Sequence, residues 1–316
     1  MAETTGDQEL MGHVARLFYL GGLTRVQIAQ RLGISRFKTG RLLTAALESG
    51  VVTITLKPSA LIASEVSDAL AGRFGLRSAY AVRVDEGVDG EPDRDLLHER
   101  LGRVAAGVLS ETVTKDDVLG LDSGRTVSHI ADHLNRLPPC DVVQLTGLTG
   151  TVQQTGLEIL GRITAISGGQ AHPIYAPMIT PDSDSADAMR RQPGIRSTTD
   201  YFRKVTRAVV SVGSWSPPDS QVYDRLPAAE RTALVKSGVV AETCALMFDA
   251  DGQALRGLDD RRIGISLQEL RAVDHVIAVA GGTVKRRAIT AMLRSRILDT
   301  LITDEATARA LLAWQG

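Results

Sequence analysis

The chain has 316 residues, 43% of them apolar, and a formal net charge of −1 from 36 basic and 37 acidic side chains. That length accommodates one large domain with a small one attached, and no apolar run approaches the roughly eighteen residues of a membrane span. The opening MAETTGDQEL is polar and acidic, without the apolar core of a signal peptide, so a cytoplasmic protein with no membrane partner is expected. Cys140 and Cys244 stand far apart and outside any CxxC or Cys/His pattern, which fits two buried free thiols better than a disulfide. The histidines form no HxH or HExxH cluster. Neither a metal nor a cofactor is expected.

Residues 23–43, LTRVQIAQRLGISRFKTGRLL, predict two short helices joined by a tight turn. Ile28, Ala29 and Leu32 share a face of the first. Gly33 supplies the turn, where a left-handed backbone angle costs glycine little, and Ser35 offers its hydroxyl as N-cap for the second helix. There Thr39, Leu42, Leu43 and Ala46 fall at i, i+3, i+4 and i+7, the spacing of a core-facing stripe. Arg36, Phe37, Gly40 and Arg41 are left outside. A preceding helix over residues 8–19 completes the helix-turn-helix pattern, whose second helix enters the major groove of DNA.

Charge separates this reading from a helical hairpin that only packs. Between Leu10 and Leu56 lie Arg16, Arg25, Arg31, Arg36, Lys38 and Arg41 against the single acid Glu48, a local charge of +5. Phosphate contacts from such residues supply most sequence-independent DNA affinity. Arg36 and Arg41 are placed for base edges, Lys38 and Arg25 for phosphates, and Phe37 for a thymine methyl or for packing, with Ser35 also counted among the DNA-binding residues. One short recognition helix reads few base pairs, so a homodimer or homotetramer on operator DNA is expected.

After Glu48-Ser49-Gly50, VVTITL (51–56) reads as a β-rich wing, and Lys57-Pro58-Ser59 marks a boundary. The expected division is a small DNA-binding domain over 1–57 and an effector and oligomerisation domain over 58–316. Residues 61–74 predict a helix serving as linker or dimerisation element. Beyond it, short apolar runs end in glycines or small polar residues and pass into amphipathic helices. Examples are VLGLDSGRTVSHIADHL (118–134), VVQLTGLTGTVQQTGLEILGRI (142–163), VIAVAGGTVKRRAITAML (276–293) and TLITDEATARALLA (300–313), with AVVSVGSWS (208–216) as a further strand and loop. This alternation predicts an α/β domain with a mostly parallel sheet covered on both faces. Ligands bind such sheets beyond the carboxyl ends of the strands. Asp85 to Arg94 and Pro217-Pro218 read as exposed loops.

Two loops suit anions. Asp122-Ser123-Gly124-Arg125-Thr126 joins a strand to a helix, and its amides and hydroxyls form an anion cradle, although Ser-Gly also serves turn geometry alone. Ala280-Gly281-Gly282-Thr283-Val284-Lys285 repeats the arrangement. A lysine in a first helical turn opposes the helix dipole, so Lys285 either faces a bound anion or is a solvated surface residue. Glu242 would orient ligand hydroxyls from the same cleft, while Asp304 and Glu305 more simply cap the last helix. Gln144, mid-strand in an apolar run, needs a partner, either a ligand hydroxyl or a neighbouring backbone group. No catalytic nucleophile–base pair can be assembled.

Taken together, these segments resemble the SorC family of bacterial sugar-responsive transcription regulators. The resemblance runs from ARLFYLGGLTRVQIAQRLGISR (15–36) to VIAVAGGTVKRRAITAMLRSRILDTLITDEATARALL (276–312), with DSGRTV, VVQLTG and YAPMI (175–179) between. It implies a small winged helix-turn-helix domain followed by a large Rossmann-like effector domain similar to sugar-phosphate isomerases and CoA transferases, used for sensing and not catalysis. It also implies a phosphorylated sugar or polyol as effector. Carried onto this chain, Ser123, Gly124, Arg125 and Thr126, with Gly282 and Lys285, would hold the phosphate, and Gln144, Gly147 and Glu242 would line the sugar side. The family commonly carries a Gly-Asp-Ile run where this chain has Ala241-Glu242-Thr243, so its preferred sugar is expected to differ. Thr39 and Gly40 replace a usual valine and serine, and an interior glycine costs roughly 1 kcal/mol relative to alanine. Two other classes remain: a sugar-phosphate isomerase or deaminase, with Glu242 as the one nameable base, and a ligand-independent DNA-binding protein.

Overall fold

The structure, a computed structural model, describes residues 5–52, 61–85, 93–149 and 156–314. The chain divides into two compact units, Met1–Lys57 and Pro58–Gly316.

The first unit holds α1 (Thr5–Tyr19), α2 (Arg25–Leu32) and α3 (Arg36–Glu48). A capping box starts α2: the Thr24 side chain accepts from the Gln27 amide while Gln27 reaches back to the Thr24 amide. Gly33 ends it in the left-handed region at φ 64°, and the Ser35 hydroxyl then accepts the Lys38 amide to open α3. Met11, Val14, Ala15, Ile28, Leu43 and Ala46 form the core of the unit. Thr39 is buried as expected, its hydroxyl satisfied by donating to the Ser35 carbonyl at 3.2 Å, so a polar residue is accommodated at an apolar position. Of the expected wing, Val51 and Val52 form a bend, with the Val52 amide donating to the Ala46 carbonyl. The rest of it, and the 57–59 boundary, lie outside the described residues.

The second unit opens with α4 (Ser64–Phe74), β1 (Ser78–Val82), α5 (Arg94–Thr112), β2 (Val118–Leu121), α6 (Arg125–His133), β3 (Asp141–Gln144) and α7 (Gly156–Ser167). It continues through β4 (Ala171–His172), α8 (Ser183–Arg190), α9 (Pro193–Tyr201), β5 (Arg207–Ser211), β6 (Gly213–Trp215), β7 (Pro218–Asp219), α10 (Gln221–Arg225) and α11 (Ala228–Lys236). The remainder is β8 (Ala241–Thr243), β9 (Leu246–Phe248), β10 (Ala254–Leu255), α12 (Leu267–Arg271), β11 (His275–Val279), α13 (Arg286–Arg294), β12 (Thr300–Asp304) and α14 (Glu305–Ala313). Seven strands form one sheet in the order β1-β12-β11-β5-β2-β3-β4, with every pairing parallel. Its faces alternate with the pleat. Ala208, Val210, Val276, Ala278 and Leu301 pack toward α4, α13 and α14. Val209, Ile277, Val279 and Ile302 pack toward α5, α6 and α7. Such double coverage is what all-parallel strands require.

The helix expected over 61–74 is found as α4, whose Val66 and Leu70 pack in the core. The Ser67 hydroxyl donates to the Ala63 carbonyl and accepts the Ala81 amide of β1. Pro217-Pro218 is exposed as expected: Pro217 lies in the turn after β6, and Pro218 begins β7. That strand belongs to a second, antiparallel sheet, β10-β9-β8-β6-β7, which the sequence reading missed. Its strands have only two or three residues, too short for a period of two to register. Of the Asp85–Arg94 loop, residues 86–92 lie outside the described residues.

Candidate functional site

A polar pit lies at the carboxyl end of the parallel sheet, where the glycine-bearing loops were expected to bind ligand. After β2 the backbone turns through Asp122, Ser123 and Gly124 into α6. Gly124 is needed there, since a Cβ would sit 2.6 Å from that of Ser211. The carboxylate of Asp122 holds the turn together: it accepts from the amides of Ser123 at 2.7 Å and Ser211 at 3.2 Å, and from the hydroxyls of Ser211 at 2.7 Å and Thr146 at 3.3 Å. Three strand ends are thereby tied to one buried group.

On the far side, the Gly282 amide donates to Asp304 Oδ1 at 2.6 Å. The same carboxylate caps α14 by accepting the Thr307 amide and hydroxyl. This turn directs Lys285 inward, where the residue is 8% exposed. Its Nζ donates to the Val212 carbonyl at 2.9 Å and lies 3.6 Å from Asp219 Oδ2. A solvated surface lysine is therefore excluded. Burial lowers its pKa more than Asp219 restores it.

Asp219, at the end of β7, also pairs with Arg94 at 2.8 Å and with Arg125. Burial alone would raise its pKa, but Lys285, Arg125 and Arg94 together bring it down to about 2. Glu242, on β8, shows the opposite outcome. Burial, then the charge of Asp122, push it up to about 7, although Glu242 Oε1 accepts the Ser220 hydroxyl at 2.9 Å and Oε2 the Ala245 amide at 3.2 Å. His98 of α5 is lowered to about 4 by burial and by Arg125 and Lys285, so it enters the site as a neutral imidazole near pH 7. The pit itself is small, about 30 Å³. Through His98, Ser123, Gly124, Arg125 and Gln221 it shares walls with a cleft of about 560 Å³, a size suited to a small-molecule ligand.

The raised carboxyl predicts a pH dependence of stability. Between about pH 4.5 and 7 the folded chain holds the Glu242 proton and the unfolded chain does not. Stability therefore falls as pH rises through that window. The full shift corresponds to about 3 kcal/mol. Glu242→Gln, which resembles the protonated form, should flatten that slope and be more stable than wild type at pH 8, as read by urea denaturation across the pH range.

In the first unit, Arg25, Arg36, Phe37, Gly40 and Arg41 line one groove of about 560 Å³ with Thr44 and Glu48. Phe37 is 85% exposed, and the Arg25 guanidinium lies 6.0 Å from the Phe18 ring centroid. Lys38 is not in the groove wall, and the Ser35 hydroxyl is engaged as the cap of α3.

A family model for a sugar-binding domain, Sugar-bind, matches residues 60–313. The crystal structure of the full-length sorbitol operon regulator SorC from Klebsiella pneumoniae superposes with a TM-score of 0.75 at 22% identity, covering 98% of this chain and all of that one. The chain belongs to the SorC family of sugar-binding regulators. Among named relatives, the transcriptional regulator LsrR of Klebsiella pneumoniae is 29% identical over 314 residues, spanning 97% of this SorC-family chain and 94% of its own length. The deoxyribonucleoside regulator of Bacillus subtilis is 29% identical over 317 residues, spanning 96% and 97%.

In this SorC-family chain the pit brings together Ser123, Gly124, Arg125, Thr126, Glu242 and Lys285. Three other expected residues stand outside its walls. Gln144 is 2% exposed and its Oε1 accepts the Ile174 amide at 3.1 Å, so a backbone group, not a ligand, takes its carbonyl; its Nε2 has no hydrogen-bond partner among the described residues. Gly147 allows close packing, because a Cβ would meet the Pro177 carbonyl oxygen at 2.6 Å. Gly282, at φ 93°, shapes the turn before Lys285. Conversely, sequence reasoning named Asp122 only as part of its loop and gave no site role to Asp219, Ser220, Arg94 or His98, all in the pit or the adjoining cleft. One signal was present: Arg94 opens α5, as unfavourable a place for a cation as that which singled out Lys285. Cys140 and Cys244 are free and buried, as expected. Among the described residues no helix is long and apolar enough to cross a membrane, and no His/Cys/Asp/Glu group has a metal-binding arrangement.

Proposed function

We propose that this chain is a cytoplasmic, oligomeric transcription regulator of carbohydrate metabolism whose second unit senses a small phosphorylated sugar or polyol and whose first unit binds operator DNA. The observation that carries the reading is the pit at the strand ends, where Arg94, Arg125 and Lys285 converge beside hydroxyls and a near-neutral carboxyl. Cations suit a phosphate, and Glu242 with Ser220 and His98 suits sugar hydroxyls. The names of the relatives, among them a deoxyribonucleoside regulator, point the same way. Gating then follows from linkage: a ligand shifts DNA affinity only by preferring one arrangement of the protein.

The test is thermal stabilisation of the full chain by a panel of sugar phosphates and their unphosphorylated parents. Binding raises stability by about 2.7 kcal/mol at a hundredfold excess over Kd. A shift with a phosphosugar and not with its parent supports the reading; a panel silent throughout would sink the sensing half of it. For the other half, Arg41→Ala should weaken operator binding about 5- to 150-fold, as expected for loss of a base contact worth about 1–3 kcal/mol. Ligand-induced stabilisation should be intact. Loss of both would mark Arg41 as structural. The enzyme reading has one observation in its favour, the pKa of Glu242 near 7. It requires turnover that Glu242→Gln abolishes.

A further inference from the structure

The cations of the pit are already matched in this structure, and the group that matches them is unusually placed. Arg94 at the start of α5, Arg125 at the start of α6 and Lys285 in the turn before α13 all belong to the layers around the parallel sheet. Their common partner, Asp219, comes from β7. That strand is the edge of the small antiparallel sheet and is paired through two residues with β6. Of the groups that converge here, β7 is among the most lightly held. Asp122, by contrast, is fixed by four donors from three strand ends.

We propose that Asp219 is an internal anion that occupies the phosphate subsite of the pit, and that a phosphate dianion, free or carried on a sugar, binds by displacing it from Arg94, Arg125 and Lys285. The inference rests on the reading of this pit as the ligand site. A carboxylate and a phosphate compete for the same guanidinium and ammonium donors, and the dianion has both the larger charge and the greater number of acceptor oxygens. A ligand group that is neutral gains nothing by the exchange, because the cations keep their partner. Asp219 is thereby a specificity-determining residue: it suppresses weak or singly charged competitors and sets the threshold that a phosphate has to exceed.

Displacement has a mechanical consequence. Ser220, the next residue, caps α10 by accepting the amides of Val222 and Tyr223 at 3.1 and 3.2 Å, and donates to Glu242 Oε1. Val222 packs with Trp215 and Leu226 in a separate apolar cluster. When Asp219 leaves the cations, β7 and the first turn of α10 move with it, so occupation of the subsite is registered on a different element from the ones that bind the phosphate.

The experiment is titration of the full chain, wild type and Asp219→Asn, with inorganic phosphate at constant ionic strength, followed by calorimetry. Removing the internal anion should tighten phosphate binding at least tenfold. Equal or weaker binding by the variant, with phosphate still bound by wild type, overturns the role of Asp219 and leaves the site reading intact. Absence of phosphate binding in both overturns the two together. A parallel titration with glycerol 3-phosphate separates the sources: a larger gain on the ester assigns the subsite to a phosphate monoester, a larger gain on the free ion to phosphate itself, and either supports displacement. Should Asp219→Asn fail to fold, hydrogen exchange on the wild type decides. The amides of Val222 and Tyr223 should lose protection at saturating phosphate, and unchanged protection overturns the proposal.

Discussion

Lys285→Ala should lower affinity for a phosphosugar at least thirtyfold while leaving operator binding in the absence of ligand unchanged. Truncating one partner of a buried, hydrogen-bonded charge pair costs about 2–5 kcal/mol, and the lower limit already corresponds to roughly thirtyfold in Kd. Lys285→Met separates charge from volume, because it keeps an apolar stem of similar length and should show the same loss. Calorimetric titration with the phosphosugar found by the stabilisation panel measures both variants. Unchanged affinity would place the phosphate outside the pit.

A second large effect is expected in the first unit. Leu43 is 3% exposed and packs with Met11, Val14, Ile28 and Ala46. A buried Leu→Ala change costs about 2–5 kcal/mol. A unit the size of Met1–Lys57 has about 3–9 kcal/mol in total, at the usual stability per residue. Leu43→Ala should therefore unfold a large share of this unit and abolish operator binding, with ligand stabilisation of the second unit preserved. Leu43→Met, which conserves volume and costs less than about 1.5 kcal/mol, should retain binding. Fluorescence anisotropy with labelled operator distinguishes the two, and full operator binding by Leu43→Ala would mean the three-helix core is not what presents α3.

The legibility of this chain in its sequence depended on the length over which a pattern persisted. The turn at Gly33, the cap at Ser35 and the stripe through Thr39, Leu43 and Ala46 each rest on local chemistry, and each is found as read. Five of the seven parallel strands, β2, β3, β5, β11 and β12, were legible as apolar runs passing into glycines or small polar residues, while β1 and β4 were not read. The antiparallel sheet was not, since Gly213–Trp215 and Pro218–Asp219 offer too few residues for periodicity to show. The site followed the same division. Ser123, Arg125 and Lys285 stand in loops whose composition announces anions. Asp219 sits behind two prolines, and only the fold brings it within 3.6 Å of a lysine 66 positions away in the chain. Glu242 was read as a carboxylate facing ligand hydroxyls, but its protonation depends on burial beside Asp122, which no local pattern reveals.

Asp304 bears on the order in which the two halves of this protein become competent during synthesis. Its carboxylate holds the Gly282 turn that presents Lys285 and at the same time caps α14. The pit thus draws on segments from Arg94 to Lys285 and is braced by a residue later still. Chains are made from the N-terminus and domains fold as units as they emerge. The three-helix unit is complete some 250 residues before Asp304 leaves the ribosome. On the function proposed above, a newly made chain accordingly carries its DNA-binding helices before it carries a sensor, and throughout that interval no metabolite is able to inform it.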